Sequence, residues 1–312
     1  MLRKSFLTLL YPAIFCCLTS FKKVTVNPPQ AGQHKLRTII IDPGHGGPDG
    51  GAEGDYSNEA DITLAIAMKL GKVLEDSLPE CKIVYTRTDH NLPGGLMDHN
   101  AANRLRAKIA NENHGDLFIS IHVNDASHPY KKEVVGHHQQ TYYTGKGKKR
   151  TKHTKTVPEI KYTKLPGTVA GTLTLVWAVG KNDQKKEFVG ANEEEMEGEK
   201  ADTSFQYFDS PEAKILASLR TQKYFNNSLL LAGYVQDEIA KTDRKNWGVW
   251  QRDWEGIWVL QATAMPSILV ETGFICTPSE ETYLNSENGQ NELTNCIYNA
   301  VIRYKENLEG TK

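Results

Sequence analysis

The chain of 312 residues is poor in cysteine and has no excess of either charge. Two of its five cysteines, Cys16 and Cys17, lie near the start, and the other three, Cys81, Cys276 and Cys296, are far apart. Thiols this few exclude a dense disulfide framework and a cysteine-rich metal site. The 37 Lys and Arg residues nearly balance the 38 Asp and Glu residues, so the net charge of −1 does not indicate a general attraction to nucleic acid or to a membrane surface.

A mostly apolar run occurs at the start of the chain, over residues 6–18, after Arg3 and Lys4. It has the length of a signal-peptide core and is short for a membrane span. We expect residues 1–20 to be an export signal and residues 21–36 a short linker, with the protein in the periplasm or on the outer surface of the cell envelope. Cys16 and Cys17 leave a lipoprotein signal with a lipid anchor open, although Phe15 is unusual before such a cysteine.

The first candidate functional residue is a histidine held between glycines. A short apolar run over residues 38–41 predicts a strand, which stops in Asp42-Pro-Gly-His45-Gly-Gly. Ligands of α/β proteins gather at the carboxyl ends of strands, so His45 is placed for chemistry. A metal ligand is one interpretation, and a plain glycine turn or a phosphate-binding loop is the other.

Two further predicted strands end in side chains of the same kind. Residues 117–122 form a β-rich apolar run that ends in His122, followed by Val123 and Asn124, and residues 267–270 lead directly into Glu271. Strands of this composition suit a buried parallel sheet. Three strands would therefore deliver His, His and Glu to one edge of one sheet.

A catalytic zinc usually takes three protein ligands and keeps a fourth position for water. Glu59, where a helical pattern begins, is the candidate for the third ligand. The alternative is that Glu59 only complements the helix dipole, with Ser57 or Asn58 as the cap.

The order of elements predicts an α/β fold. Strands over residues 38–41, 82–86 and 117–122 alternate with helices over residues 61–74 and 101–111, which is typical of a parallel sheet with helices on both faces. We expect a single domain over residues 37–310 with a mostly parallel, twisted sheet and a zinc site at the carboxyl ends of its strands. Further predicted elements are strands at 142–143, 173–179 and 267–270, a helix at 213–241, a short apolar stretch at 257–260 and a terminal helix at 290–307.

Four segments, in this order along the chain, resemble the zinc-dependent N-acetylmuramoyl-L-alanine amidases of the amidase 3 type. They are His45 within Asp-Pro-Gly-His-Gly-Gly, Glu59 ahead of a helix, His122 within Ser-Ile-His-Val-Asn, and Glu271 within Val-Glu-Thr-Gly-Phe-Ile. The resemblance extends over residues 37–124 and 210–308.

The resemblance implies that His45, Glu59 and His122 bind one Zn²⁺ per chain and that Glu271 is the catalytic carboxylate. It also implies peptidoglycan as the substrate, with hydrolysis of the amide bond between the lactyl group of N-acetylmuramic acid and the L-alanine of the stem peptide, for cell wall turnover or daughter-cell separation. Two neutral imidazoles and one carboxylate leave a bound zinc net positive, as activation of water requires. A zinc peptidase acting on stem peptides and a catalytically silent wall-binding relative remain as alternatives.

Residues 131–209 depart from the compact pattern of this family. They contain a basic stretch over residues 146–155 and an acidic one over residues 193–199. A lid, a docking element for an activator or regulatory protein, and a self-inhibitory helix over the zinc are the functional interpretations. For residues 185–202 the charged composition favours a solvated, partly disordered loop.

Other polar residues near the motifs receive structural interpretations. Arg87 and Asp89 are expected to form an ion pair at a strand end. Asn124 and Asp125 either orient His122 or belong to a turn. The adjacent His137 and His138 would point to opposite faces of a strand and so would not share a metal.

Overall fold

The computed structural model of the protein describes residues 35–126, 128–178, 180, 182–196, 211–252 and 256–310. The predicted export signal, most of the linker and the cysteines Cys16 and Cys17 lie outside the described residues. The three cysteines within them are buried free thiols. None of the helices in this part of the chain combines the length and the apolar character needed to cross a membrane.

The described residues form a six-stranded sheet flanked by helices, together with a separate two-stranded sheet. In the larger sheet the strand order is β2-β1-β3-β8-β6-β7. All neighbouring pairs are parallel except β8 and β6, which are antiparallel. The strands are β1 (Thr38–Pro43), β2 (Lys82–Tyr85), β3 (Leu117–Asn124), β4 (Tyr130–Thr144), β5 (Thr151–Lys164), β6 (Thr172–Val176), β7 (Asn246–Gln251) and β8 (Ser267–Phe274).

Helices connect and cover these strands. Helix α7 packs against both α1 and α4, and α2 and α3 both contact α5. Short 3₁₀ turns lie at Pro93–Gly95 and Gly147–Lys149. The helices are α1 (Glu59–Ser77), α2 (His99–Glu112), α3 (Asn182–Met196), α4 (Pro211–Ile239), α5 (Trp258–Ala262), α6 (Pro278–Asn285) and α7 (Glu287–Glu309). The predicted α/β class is thus confirmed.

The centre of the sheet is apolar on both faces, which explains its parallel pairing. Ile39, Ile40 and Ile41 of β1 are fully buried, and so are Phe118 and Ile119 of β3. Strands covered on both sides by helices need such continuous apolar runs. The register of β3 against β8 makes His122 and Glu271 direct partners, so the predicted meeting of strand ends at one edge is present in the fold.

Residues 131–209, expected as an insertion, divide into parts of different kinds. Strand β6 pairs with β8 and β7 inside the main sheet. The long hairpin of β4 and β5 forms the separate two-stranded sheet, with one irregularity between Val134 and Gly136. The predicted strand at residues 142–143 lies in this hairpin, whereas its partner β5 was not predicted. The basic stretch over residues 146–155 covers the turn of the hairpin and the start of β5.

The predicted solvated loop over residues 185–202 is wrong for its first part, which lies in helix α3. Lys185 is completely buried, and its Nζ donates to the main-chain oxygens of Leu260 and Met265 at 2.7 and 3.1 Å. The same nitrogen lies 4.3 Å from the centroid of the Trp177 ring, and burial holds the pKa of Lys185 well below its usual range. The charged composition therefore hid the helix from prediction, because the residue that attaches α3 to the rest of the protein is itself a lysine. Residues 197–202 lie outside the described residues.

Candidate metal and active site

His45 lies in the turn after β1 and is held there by an arginine from α2. Its backbone adopts a left-handed conformation with φ of 60°, which a non-glycine residue maintains only when its surroundings fix it. Arg106, 2% exposed, donates to the main-chain oxygens of His45 and Pro43 at 2.5 and 2.6 Å. The guanidinium also pairs with the buried Asp42 carboxylate. These contacts fix the turn that presents the His45 ring.

Asp42 is charged although it is buried beneath this turn. Burial alone would raise its pKa, but Arg106 and hydrogen bonds from Thr86 and Ser120 outweigh burial and lower the pKa. The two hydroxyls donate to the carboxylate at 2.6 and 2.7 Å. A buried, fully hydrogen-bonded ion pair of this kind contributes more to the placement of the turn than to the free energy of folding.

Glu59 is the first residue of α1 and lies almost completely inside the protein. Asn58 caps the helix by accepting a hydrogen bond from the Asp61 main chain at 2.9 Å, so the capping role predicted for Ser57 or Asn58 belongs to Asn58. The Glu59 carboxylate faces the sheet edge and accepts main-chain N–H groups of Ala52 at 2.9 Å and Val123 at 2.8 Å. The carboxylate is therefore positioned from two sides.

The carboxylate of Glu59 lies between the two histidine rings. Its Oε2 is 3.2 Å from Nε2 of His45, and its Oε1 is 2.9 Å from Nδ1 of His122. The ring centroids of the histidines are 5.0 Å apart, edge to face. One ligand atom from each of the three residues falls within 4.8 Å of the others. Two imidazole nitrogens and a carboxylate oxygen converging in this way fit the donor set of a zinc site with an open fourth position.

Two glycines make room for these side chains. A Cβ on Gly44 would lie 2.5 Å from Cε1 of His122, and one on Gly51 would lie 2.6 Å from Oε2 of Glu59. Gly51 also has φ of +69°, which a side chain would strain. Gly44 therefore permits the close packing of the His122 ring against the turn.

The proximity of the three groups shifts their protonation. Burial alone would lower the pKa of His45, but Glu59 and Asp49 outweigh it and raise the pKa to about 9. Burial alone would raise the pKa of Glu59, but His122 and His45 hold it well below its usual range. The carboxylate is consequently ionised and His45 is protonated, so a metal ion bound to His45 would have to displace a proton.

A second chain of polar contacts leads away from His45. Nδ1 of His45 is 2.9 Å from Oδ1 of Asp49, and Oδ2 of Asp49 is 2.6 Å from Nδ1 of His99. Nε2 of His99 in turn lies 2.9 Å from Nδ2 of Asn103. Such a carboxylate on the far nitrogen fixes the tautomer and the orientation of a metal-binding histidine.

Glu271 shares a cavity of about 350 Å³ with the three clustered residues. It is 6% exposed, and its Oε2 has no hydrogen-bond partner among the described residues. Arg252 Nη2 is 3.9 Å from Oε1 of Glu271. Burial raises the pKa of Glu271 to about 7. A buried carboxylate with a vacant acceptor, in the same cavity as His45, Glu59 and His122, is placed to accept or donate a proton.

Several other predictions for single residues need correction or stay open. The contact of Arg87 with Asp89 goes to its main-chain oxygen at 2.8 Å, and the remaining Arg87 donors serve the carbonyls of Pro43, Gly44 and Ala60, so the expected ion pair is wrong. Arg87 instead fixes the same turn as Arg106 does.

Asn124 and Asp125 line the cavity. The side-chain hydrogen bond of His122, however, is made by its Nδ1 to Glu59. The main-chain oxygen of Asn124 accepts from Ile275 at 3.0 Å. His137 and His138 lie exposed in β4, outside the groups of described residues that could hold a metal.

The structure brings together His45, Glu59, His122 and Glu271, and it adds residues that the sequence did not identify. Asp49, His99 and Arg106 carry no motif of their own. Asp49 lies four residues after His45, within the same glycine-rich turn, which is the one signal that could have found it. Arg106 lies on the buried face of α2, whereas Arg104, two residues earlier, lies on the exposed face.

Solved structures of amidases share this fold. The N-acetylmuramoyl-L-alanine amidase from Clostridium difficile 630 matches with a TM-score of 0.51 and 24% identity, over 87% of this chain and 97% of that one. The CwlD amidase from Clostridioides difficile, in complex with the GerS lipoprotein, matches with a TM-score of 0.51 and 21% identity, over 86% and 98%.

Sequence comparison gives the family. The chain is 26% identical to the germination-specific N-acetylmuramoyl-L-alanine amidase of Bacillus subtilis, over 86% of this chain and 79% of that protein. It is also 26% identical to AmiC of Escherichia coli, over 89% of this chain and 55% of that longer protein. The family model for N-acetylmuramoyl-L-alanine amidase matches residues 39–303. The chain belongs to the N-acetylmuramoyl-L-alanine amidase family.

Proposed function

We propose that this protein is a zinc-dependent amidase that cuts peptidoglycan between the lactyl group of N-acetylmuramic acid and the L-alanine of the stem peptide. The amidase class follows from the family match over residues 39–303. The observation that carries the zinc dependence is the convergence of His45, Glu59 and His122 within 4.8 Å, in one cavity with Glu271.

Three residues of the chain would hold one zinc ion. Nε2 of His45, Nδ1 of His122 and an oxygen of Glu59 are the ligand atoms that face one another. When bound there, zinc supplies Lewis-acid polarisation of an amide carbonyl and activation of water. Asp49 accepts the Nδ1 proton of His45, so that Nε2 keeps its lone pair for the metal.

Glu271 is the proton carrier of the proposed reaction. Its vacant Oε2 accepts a proton from the attacking water and later delivers it to the amine of L-alanine, which could not leave as an anion. The cavity walls keep bulk water away from this carboxylate, as the 6% exposure of Glu271 shows. Arg252, 3.9 Å away, stabilises the ionised form of Glu271, which is the form that accepts the proton.

The proposed location is the periplasm or the outer surface of the cell envelope, in wall turnover or daughter-cell separation. Support comes from relatives such as AmiC of Escherichia coli, which are named as amidases of this bond. The complex of the CwlD amidase with a lipoprotein supports a regulatory partner for this chain too. Lipid attachment at Cys16 or Cys17 stays a prediction.

Mass spectrometry of digested sacculi tests the proposal. Purified peptidoglycan is incubated with the protein and zinc, and the soluble products are identified. Free stem peptides with an L-alanine amino terminus are the expected result. Shortened stems would instead identify a peptidase, and the absence of products together with retained wall binding would identify a catalytically silent relative.

A further inference from the structure

The hairpin of β4 and β5 stands apart from the rest of the domain. The two strands pair with each other, and neither joins the six-stranded sheet. At about 3.4 Å per residue, its 15-residue strand spans roughly 50 Å. Nearly every residue of both strands is exposed, so the hairpin buries little apolar area. A two-stranded ribbon without a core behind it is marginally stable by itself, and contact with a partner would stabilise it.

Charge distinguishes the hairpin from the remainder of the chain. Residues 130–164 contain ten Lys and Arg residues and two Glu residues, a net charge of +8 in a chain whose total is −1. Six of the ten cations fall within residues 146–155, at and beside the tip. Within the part of the chain that the structure describes, the hairpin's ion pair is Lys131 with Glu133, far from that tip. The tip therefore presents cations that no carboxylate of the described residues neutralises.

Aromatic rings are interleaved with these cations. Tyr142 and Tyr143 are 44% and 50% exposed. The Arg150 guanidinium lies 4.1 Å from the Tyr143 ring centroid, and His153 stacks on Tyr142 at 5.2 Å. Cations beside flat, exposed rings can contact an anionic group and a sugar ring at the same time.

Protection against aggregation and membrane binding both fit the hairpin less well. Lysines on an exposed ribbon prevent edge-to-edge aggregation, but that role calls for charges along both strands rather than six within ten residues of the tip. Binding to an anionic membrane usually adds Trp, Phe or Leu side chains that enter the interface. Residues 130–164 contain none of these three.

The base of the hairpin is attached to the catalytic edge of the sheet. Asn124 and Asp125, which line the catalytic cavity, lie six and five residues before the first residue of β4. Main-chain bonds fix both sides of the base: Leu165 donates to Pro129 at 2.8 Å, and Gly167 donates to Cys276, just after β8, at 3.0 Å. A polymer bound along the hairpin is thereby kept close to the proposed metal centre.

We propose that the β4–β5 hairpin is a substrate-holding arm that binds peptidoglycan as an anionic, sugar-rich polymer. Its lysines and arginines pair with stem-peptide carboxylates, and its exposed tyrosines contact sugar rings. This inference rests on the proposed function, since it takes the substrate to be peptidoglycan. It assigns to the hairpin the retention of the polymer, separate from the cleavage step.

The test separates binding from cleavage with two sets of variants. In the tip variant, Lys146, Lys148, Lys149 and Lys152 are all changed to Gln. In the matched control, the exposed Lys72, Lys82, Lys108 and Lys223 are changed to Gln, which alters net charge equally elsewhere on the surface. Both sets are also combined with Glu271→Gln, so that sacculi are not digested while co-sedimentation is measured.

The tip variant should bind sacculi about tenfold or more weakly, because each of four exposed charge pairs contributes a few tenths of a kcal/mol, whereas the control set should bind like the parent. Parent binding should weaken with salt and with sacculi whose carboxyl groups are amidated. Turnover of insoluble sacculi should fall in the tip variant, and turnover of a small soluble muropeptide should stay unchanged.

Equal sacculus binding by the tip variant and the parent would overturn the inference. Binding of both proteins to phosphatidylglycerol vesicles is measured in parallel, and a tip variant that lost vesicle binding while it kept sacculus binding would also overturn it. Equal loss in both variant sets would also overturn it, since general charge would then account for the effect. If the parent failed to cleave the soluble muropeptide, the proposed function would be wrong, and the binding measurements would still report on the hairpin.

Discussion

Replacement of Gly44 by alanine tests whether the close packing of the turn against His122 sets the metal site. The added Cβ would lie 2.5 Å from Cε1 and 2.6 Å from Nε2 of the ring. Neither partner is free to move, because Gly44 is hydrogen-bonded through its N–H to Ile121 and through its oxygen to Arg87, and Glu59 holds the ring. Relief of the overlap to an ordinary contact requires a shift of about 1 Å, which is more than a preorganised ligand set tolerates.

We expect Gly44→Ala to weaken zinc binding about 10- to 100-fold, the range seen when the support of a metal ligand is disturbed, and to lower Tm because of overpacking. Affinity is measured by competition with a chromophoric chelator. Gly50→Ala is the matched control, since its Cβ would meet the flexible end of the Glu53 side chain at 3.3 Å and make an ordinary contact with Cβ of Asn58 at 3.8 Å. Wild-type zinc affinity and Tm in Gly44→Ala would refute the reasoning.

Three further predictions concern Asp49, the protonation of His45, and Lys185 of α3. Asp49→Ala should weaken zinc binding about 10- to 100-fold in the same competition assay, because His45 loses the group that fixes its tautomer, and an unchanged affinity would show that Asp49 does not support the ligand. Zinc affinity should rise about tenfold per pH unit from pH 7 to pH 9 and then level off, because the pKa of His45 is about 9 and metal binding must displace that proton; an affinity independent of pH would contradict it. Lys185→Met should lower the free energy of unfolding by about 2 kcal/mol, because buried oxygens lose their donor, while zinc affinity stays unchanged; chemical denaturation measures this, and unaltered stability would argue against the anchoring role.

The fold could be predicted where the apolar pattern is strong. Apolar runs at residues 38–41 and 117–122 identified the central strands, because such runs are typical of parallel strands that helices cover on both faces. Strands β5 and β7 were not predicted, because the first is charged and exposed and the second carries intermediate residues at an edge. Helix α3 was mistaken for a loop, because the burial of Lys185 depends on main-chain oxygens contributed by a distant segment.

The convergence of side chains at strand ends could be predicted from the sequence, whereas the residues that support them could not. His45 follows β1, and His122 and Glu271 lie toward the carboxyl ends of β3 and β8, so topology alone places them at one edge. Arg106 reaches that edge from the middle of a helix, and its role depends on a three-dimensional contact with the His45 main chain. Gly44 makes room for the ring of His122, a contact between distant segments that the sequence alone does not reveal.

The most direct test of the account is a parallel measurement of bound zinc and of stem-peptide release in Glu271→Gln. Glu271 lies beside the cluster of His45, Glu59 and His122 and is not a member of it. We predict about one zinc per chain, as in the parent, with nearly complete loss of free stem peptides carrying an amino-terminal L-alanine. Stem-peptide release at the parental rate would contradict the proposed role of Glu271, and loss of zinc from this variant would contradict the proposed ligand set.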